Sequence, residues 1–387
     1  MLNRCPVCGL TCTSAPCWWR AQAPIHQLLP VGQAAVAADF GQLDIVACEA
    51  CGHLWNRAYD PACAERMYTS GHLTNVPVTV GMGQHLQNIL DWIGEDAHRD
   101  RRVLEVGAGS GAFARLLARS AHSVTVVEPS RGLLPSAFPE TNVTLVSDMF
   151  PPARALAPAD LVICRQVMEH VADPAAMFAD LAAALAPGGR LYVEVPNAAY
   201  VRSEAAIFDF HYAHVQYFAA AGLCRLAAAA GLQPERIHYL NAERDLGVLF
   251  RRGAGTEPAI AASAQGAGDL AVRGRQRQLA YEAWFARGAS LALYGATWNG
   301  LAFLNAFDQP PPFRAVLDDN PHYAGCALYH PRLQVPVEAP EGFAFRTVDA
   351  IVITAYHHAP VIAQRLRHLA FKGTILSAAE TPEPEAP

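Results

Sequence analysis

Two short cysteine pairs constrain the front of this chain more than any other feature. They are Cys5-Pro-Val-Cys8-Gly and Cys48-Glu-Ala-Cys51-Gly. Thiolates three residues apart on a glycine-closed turn present two sulfurs to one ion, and two such turns complete a tetrahedral Zn²⁺ site with no open position. Cys5, Cys8, Cys48 and Cys51 are therefore expected to hold a structural zinc. Cys12, Cys17 and His53 lie close enough in sequence to substitute for one ligand, whereas Cys63, Cys164, Cys224 and Cys326 read as small buried apolar residues. Downstream, Val103-Leu104-Glu105-Val106-Gly107-Ala108-Gly109-Ser110-Gly111 has the form of a strand running into a glycine loop. A metal-pinned head before a nucleotide-binding core is an uncommon order.

A chain of 387 residues exceeds one ordinary core, and 52% hydrophobic with 17% charged residues is a globular composition. No uncharged apolar run is long enough to span a bilayer. The first residues lack the apolar region of a secretion signal, so reduced thiols and a cytoplasmic location are expected. The net charge of −6, without a lysine- or arginine-rich tract, argues against a nucleic-acid partner.

A zinc-binding head is expected over residues 1–75. Residues 76–252 alternate strand and helix signals. Strands are expected at 102–106, 123–128, 143–146, 160–164 and 190–195, and helices at 111–120 and 173–186. The second helix opens on Asp173-Pro174, an N-cap followed by proline, and closes at Pro187-Gly188-Gly189. Such alternation implies a doubly wound parallel α/β sheet, with 235–241 and 247–252 as an antiparallel pair at one edge. Residues 253–268 read as a linker. Residues 269–377 form a second α/β unit, with a helix at 270–287 and strands starting at 291, 314, 350 and 374. A Pro- and Glu-rich tail, 378–387, is expected to be disordered.

In Glu105-x-Gly107-x-Gly109-x-Gly111 the glycines let backbone approach a ligand, and the spacing differs from the dinucleotide pattern Gly-x-Gly-x-x-Gly. Glu128 ends the next strand, where a carboxylate can accept both ribose hydroxyls. Asp148 and Met149 follow the third strand and suit an adenine. Gln166 follows the fourth, in Arg165-Gln166-Val167-Met168-Glu169-His170-Val171, where His170 reads as structural.

The Glu-Val-Gly-x-Gly-x-Gly run, the Glu128 strand end, Glu169-His170-Val171 and Pro187-Gly188-Gly189-Arg190-Leu191 resemble a class I S-adenosylmethionine-dependent methyltransferase. The whole chain resembles the three-domain, zinc-containing sugar C-methyltransferases. The features that carry this are the zinc knuckles, Tyr68-x-Ser70-Gly71, Val195-Pro196-Asn197, Tyr294-Gly295-Ala296-x-x-x-Gly300 and Val316-x-Asp318-x-Asn320-Pro321. The resemblance implies a Rossmann-like methyltransferase core, an N-terminal zinc domain and a Rossmann-like C-terminal domain. It implies S-adenosyl-L-methionine as cofactor and a nucleotide-linked 4-keto-deoxysugar as substrate.

That family carries Tyr-His-Glu-His-Leu-Ser-Tyr-Phe where this chain reads His211-Tyr212-Ala213-His214-Val215-Gln216-Tyr217-Phe218. Aligning the Tyr-Phe ends puts His214 on the family's catalytic histidine and Ala213 on its glutamate. Asn299 stands where a lysine often precedes Gly300. His214 is then the expected general base, with His211 beside it. Tyr212, Tyr68 and Asn197 are candidate donors to an enolate oxygen, and the zinc head is expected to hold the Tyr68 loop over the pocket. O-methylation of a small-molecule hydroxyl is the runner-up, and a non-catalytic binding or scaffold protein on the same fold is the alternative of another class. A protein- or RNA-modifying methyltransferase with a zinc recognition head is a further alternative, disfavoured for RNA by the acidic balance.

Overall fold

In a computed structural model, residues 2–69, 80–130, 132–253 and 267–382 are described. They build three sheets. The central one has seven strands, ordered Leu232–Leu240, Asp245–Arg252, Leu185–Pro196, Ala159–Arg165, Arg102–Val106, Ser123–Val127 and Val143–Val146. The last five run parallel, and the hairpin of the first two is antiparallel. This is the sheet of a class I methyltransferase. Val103, Leu104, Val106, Leu161, Val162 and Ile163 are all buried, as parallel strands covered on both faces require.

The expected strands and helices form with boundary shifts that have local causes. Asp173 caps the helix Pro174–Ala183 by accepting a hydrogen bond from the Ala176 N–H at 3.0 Å. The helix stops before residue 186 because the strand Leu185–Pro196 has already begun. Pro187-Gly188-Gly189, expected to be only a stop signal, lies inside that strand. It is absorbed where the pairing register slips between Ala159 and Leu161, and Gly188 there takes φ +76°.

The C-terminal sheet runs Thr374–Ser377, Ala350–Ile353, Leu291–Tyr294, Val316–Leu317, Leu333–Glu338, Cys326–His330 and Leu29–Pro30. Its last strand comes from the N-terminal head. The head's own four-stranded sheet runs Trp18–Pro24, Phe40–Ala47, Leu54–Asn56 and Gln216–Tyr217, and its last strand comes from the central segment. Strands of two residues have too little pairing to stand alone, and each covers an otherwise open edge. The head segment is further fixed to the C-terminal unit by Gln27 Nε2 donating to the Ala296 carbonyl at 2.7 Å. The hydroxyl of Tyr329 accepts from the His26 N–H at 3.0 Å.

Residues 378–382 are packed rather than disordered, which corrects the start of the expected tail. Ala378 N–H donates to Ile353 O at 2.9 Å, and the Tyr281 hydroxyl donates to the carbonyls of Ser377 and Glu380. Most of the expected linker (254–266) and the last five residues lie outside the described residues.

Candidate active site

The glycine loop leaves the strand Arg102–Val106 with Gly107, Gly109 and Gly111 at φ of +74°, +56° and +75°. A Cβ at Gly107 would sit 2.3 Å from Val167 Cγ2, and one at Gly111 would sit 2.5 Å from the Phe138 ring. Glycine is therefore required at both positions on two counts, space and backbone. Glu128 closes the loop: Oε2 accepts the Gly109 N–H and Oε1 the Ser130 N–H, each at 2.9 Å. Each carboxylate oxygen keeps a further lone pair for a ligand hydroxyl. Burial drives the Glu105 carboxyl up to about 7, and its Oε2 is buried without a partner, an orphaned acceptor beside the loop. Asp148 accepts from the Met149 and Ala153 N–H groups, which holds the Met149 side chain out on the surface. These residues fit an adenosyl ligand in the crevice past the strand ends.

Gln166 differs from expectation. At φ +53° its amide nitrogen turns to Glu194 Oε1 and Asp245 Oδ1, at 3.3 and 3.4 Å. Burial penalises the Glu194 carboxylate, but the Arg165 guanidinium at 2.9 Å outweighs this and holds it ionised. The Gln166 amide nitrogen is thus tied to a buried charge network.

Three histidines converge past the strand Ala159–Arg165. The ring of His214 lies 3.9 Å from His211 and 5.0 Å from His170, centroid to centroid. His211 in turn stacks on Trp298 of the C-terminal unit, 5.0 Å away and 17° from parallel. Burial lowers the pKa of all three, His211 to about 3 and His214 well below its ordinary value, and neighbouring imidazoles add to the effect for His214 and His211. They are held neutral. With its pKa lowered, His214 has the unprotonated form that a base needs. His170, read from sequence as structural, belongs to this cluster: its Nδ1 donates to the Ala213 carbonyl at 2.6 Å. Glu169 was also missed. It is 1% exposed, and neither carboxylate oxygen has a hydrogen-bond partner. Glu169, His170 and His214 offer polar atoms all within 4.8 Å of one another. Its sequence signal, an acid inside an otherwise apolar strand-end segment, is indistinguishable from helix-start polarity until His214 arrives from 45 residues away.

Two of the candidate oxyanion donors are corrected. The Tyr212 hydroxyl accepts from the Asp60 N–H at 3.0 Å and faces the Asp60 carbonyl at 3.4 Å. Its ring packs so closely on Gly41 that a Cβ there would lie 2.2 Å from it. Asn197 is a helix cap: Oδ1 accepts from the Ala199 N–H, and Nδ2 donates to the Glu243 carbonyl at 2.7 Å. Both groups are spent on structure. Tyr68 falls in the helix Pro61–Thr69, and its side chain and the following residues 70 and 71 lie outside the described residues.

The head brings its four cysteines to one point. Cys5 Sγ lies 3.5 Å from Cys51 Sγ, and Cys8 Sγ 3.5 Å from Cys48 Sγ. Four thiolates at about 2.3 Å from a zinc ion would stand roughly 3.7 Å apart, so the donor set and its spacing suit that ion. Cys12 and Cys17 are buried outside the cluster, and His53 pairs with Gln216 Oε1 at 2.8 Å instead. Cys326 is only partly buried, against the expectation of a buried apolar residue.

Residues 82–237 match the family described as methyltransferase domain, and residues 272–378 the one described as C-methyltransferase C-terminal domain. The C-methyltransferase NovU of Streptomyces niveus is 26% identical over 351 residues, covering 83% of this chain and 81% of that protein. A ubiquinone biosynthesis O-methyltransferase of Xylella fastidiosa (strain 9a5c) is 34% identical over 105 residues, only 25% of this chain and 42% of its own length. Among solved structures, the magnesium protoporphyrin IX methyltransferase of Synechocystis PCC 6803 covers 50% of this chain and 100% of its own at 16% identity and a TM-score of 0.41. That likeness is too low to add to the sequence relatives. The chain is an S-adenosylmethionine-dependent methyltransferase, with a class I core and a C-terminal domain of the C-methyltransferase type.

Proposed function

We propose that the protein methylates a carbon next to the ketone of a nucleotide-linked keto-deoxysugar, with His214 as general base. The observation that carries this reading is the convergence of His214, His170 and His211, all with lowered pKa, past the strand Ala159–Arg165, which pairs in parallel with the strand Arg102–Val106 that leads into the glycine loop. The nearly full-length similarity to a protein named as a C-methyltransferase supports carbon as the acceptor. The sugar comes from the family resemblance of the whole chain.

S-Adenosylmethionine, when bound, supplies an already electrophilic methyl group, so this chain has only to provide a nucleophile aligned with it. In the proposed division of labour, Glu105, the glycine loop and Glu128 hold the cofactor, while Asp148 and Met149 flank the adenine. Gln166 is kept as a contact through atoms other than its amide nitrogen. His214 takes the proton from the carbon beside the ketone, and the resulting enolate is the nucleophile. With Tyr212 and Asn197 engaged elsewhere, the tyrosine kept as a candidate for the enolate oxygen is Tyr68. His211, stacked on Trp298, orients the segment.

The zinc proposed on Cys5, Cys8, Cys48 and Cys51 is structural. Its sheet grips the reacting segment directly: Asn56 N–H donates to the Val215 carbonyl at 2.8 Å, and Gln216–Tyr217 pairs with Leu54–Trp55. Replacing His214 with Ala is expected to cut turnover by at least 10²-fold, within the usual range for a positioned base. S-Adenosylmethionine binding by calorimetry should be unchanged; wild-type turnover in His214→Ala removes it as the base.

A further inference from the structure

The family that this chain resembles places a glutamate beside its catalytic histidine, and here that position is Ala213. We propose that Glu169 is the positioning residue for His214, supplying from the turn after the strand Ala159–Arg165 the carboxyl that position 213 lacks. The proposal rests on His214 being the base.

The backbone fixes the pair. The Glu169 carbonyl accepts the Val215 N–H at 2.7 Å, so the acid and the residue following His214 share one hydrogen bond. The carboxyl has no partner at either oxygen. A buried acid left unpaired is costly, so its presence here calls for a use. A carbonyl can only accept, so the 2.6 Å contact between His170 Nδ1 and Ala213 O puts the proton on Nδ1 and makes Nε2 an acceptor. That Nε2 lies 3.9 Å from Glu169 Oε1.

Burial pushes the carboxyl's pKa well above its ordinary value and so favours the protonated form, and a protonated carboxyl has one donor and one acceptor. Its O–H serves His170 Nε2, and its C=O serves the N–H of His214. The remaining nitrogen of His214 is then bare and turned to the substrate. The His170 contact, at 3.9 Å, is longer than a hydrogen bond and the His214 contact lies within 4.8 Å, as catalytic contacts are often long before a ligand closes the site. A transition-metal ion fits these atoms less well. Ligands about 2.0–2.1 Å from a tetrahedral ion stand roughly 3.3 Å apart, closer than 3.9 Å.

The test is histidine-selective ¹⁵N NMR of the full chain at pH 7 without substrate. In the native protein His214 should show one protonated and one bare ring nitrogen. Glu169→Gln, which keeps a donor and an acceptor, should preserve that pattern. Glu169→Leu, which fills the space without either, should average the two signals, with Glu169→Ala as the substitute if Leu does not fold. Adding Ala213→Glu to the apolar variant should restore the fixed tautomer. A fixed tautomer in Glu169→Leu or Glu169→Ala would overturn the proposal. So would more than one equivalent of tightly held divalent metal per chain that falls in Glu169→Gln, since the three groups would then be a cation site. Because the readout needs no turnover, its failure is distinct from failure of His214 as base, which the activity of His214→Ala reports.

Discussion

Glu105 shows how one buried side chain makes stability depend on pH. Its carboxyl, 2% exposed, has its pKa raised by burial to about 7, against an unfolded value near 4.5. A raised acid binds its proton more tightly when folded, so its favourable contribution is complete below pH 4.5 and is lost as pH rises through 7. Glu105→Gln, neutral at every pH, should therefore gain stability relative to the native protein between pH 5 and pH 8. Urea midpoints at the two pH values test this, and a pH-independent difference would contradict it. The glycine loop and Glu128 were legible in sequence because each is a local requirement: φ above zero at consecutive glycines and an acid at a strand end. Tyr212 and Asn197 misled for the opposite reason. A polar side chain beside a catalytic motif gives no local sign that Asp60, 152 residues away, or Glu243 already uses it.

At the scale of elements, the cysteine head meets the His214 segment through a strand of two residues. Cys48 and Cys51 flank the turn into Leu54–Asn56, which pairs with Gln216–Tyr217, a strand that starts two residues after His214. A structural zinc contributes more folding energy, about 10–16 kcal/mol in small domains, than a head this size could supply from its core. Cys51→Ser should therefore lower bound zinc below one equivalent per chain. It should speed amide exchange across residues 54–56 and 215–217, and reduce turnover with it. Loss of zinc without faster exchange at 215–217 would break the proposed link. The central strands and most helices were readable because their apolar runs and caps are continuous in sequence. Leu29–Pro30, Gln216–Tyr217 and the pair Cys326–His330 with Leu333–Glu338 were not, since short strands are defined by their partners rather than by a pattern of their own.

Across the whole molecule, the expected boundaries are crossed by strands and by a polar bridge. Asn299 Nδ2 donates to Asp209 Oδ1 at 2.6 Å and to the Tyr356 hydroxyl at 2.7 Å, tying the His214 segment to the C-terminal unit. Burial raises Asp209 to about 7, opposed by Arg244 and by this amide. Asn299→Leu should cost about 1–3 kcal/mol by leaving the acid unpaired. The cost should be larger at pH 8, where Asp209 is ionised, than at pH 6, and denaturant titrations at both values read it. Trp298 stacks on His211 from the same helix, Trp298–Asn305, so the C-terminal unit packs against the segment that carries His214.

The most direct measurement follows ¹³C-methyl S-adenosylmethionine with a panel of nucleotide-linked 4-keto-6-deoxysugars in D₂O by NMR. Carbon methylation through His214 should place the ¹³C on a carbon beside the ketone. It should also exchange that carbon's proton for deuterium when the methyl donor is left out, an exchange absent in His214→Ala. A ¹³C-methyl on oxygen, or methyl transfer with no exchange at the carbon, would contradict it.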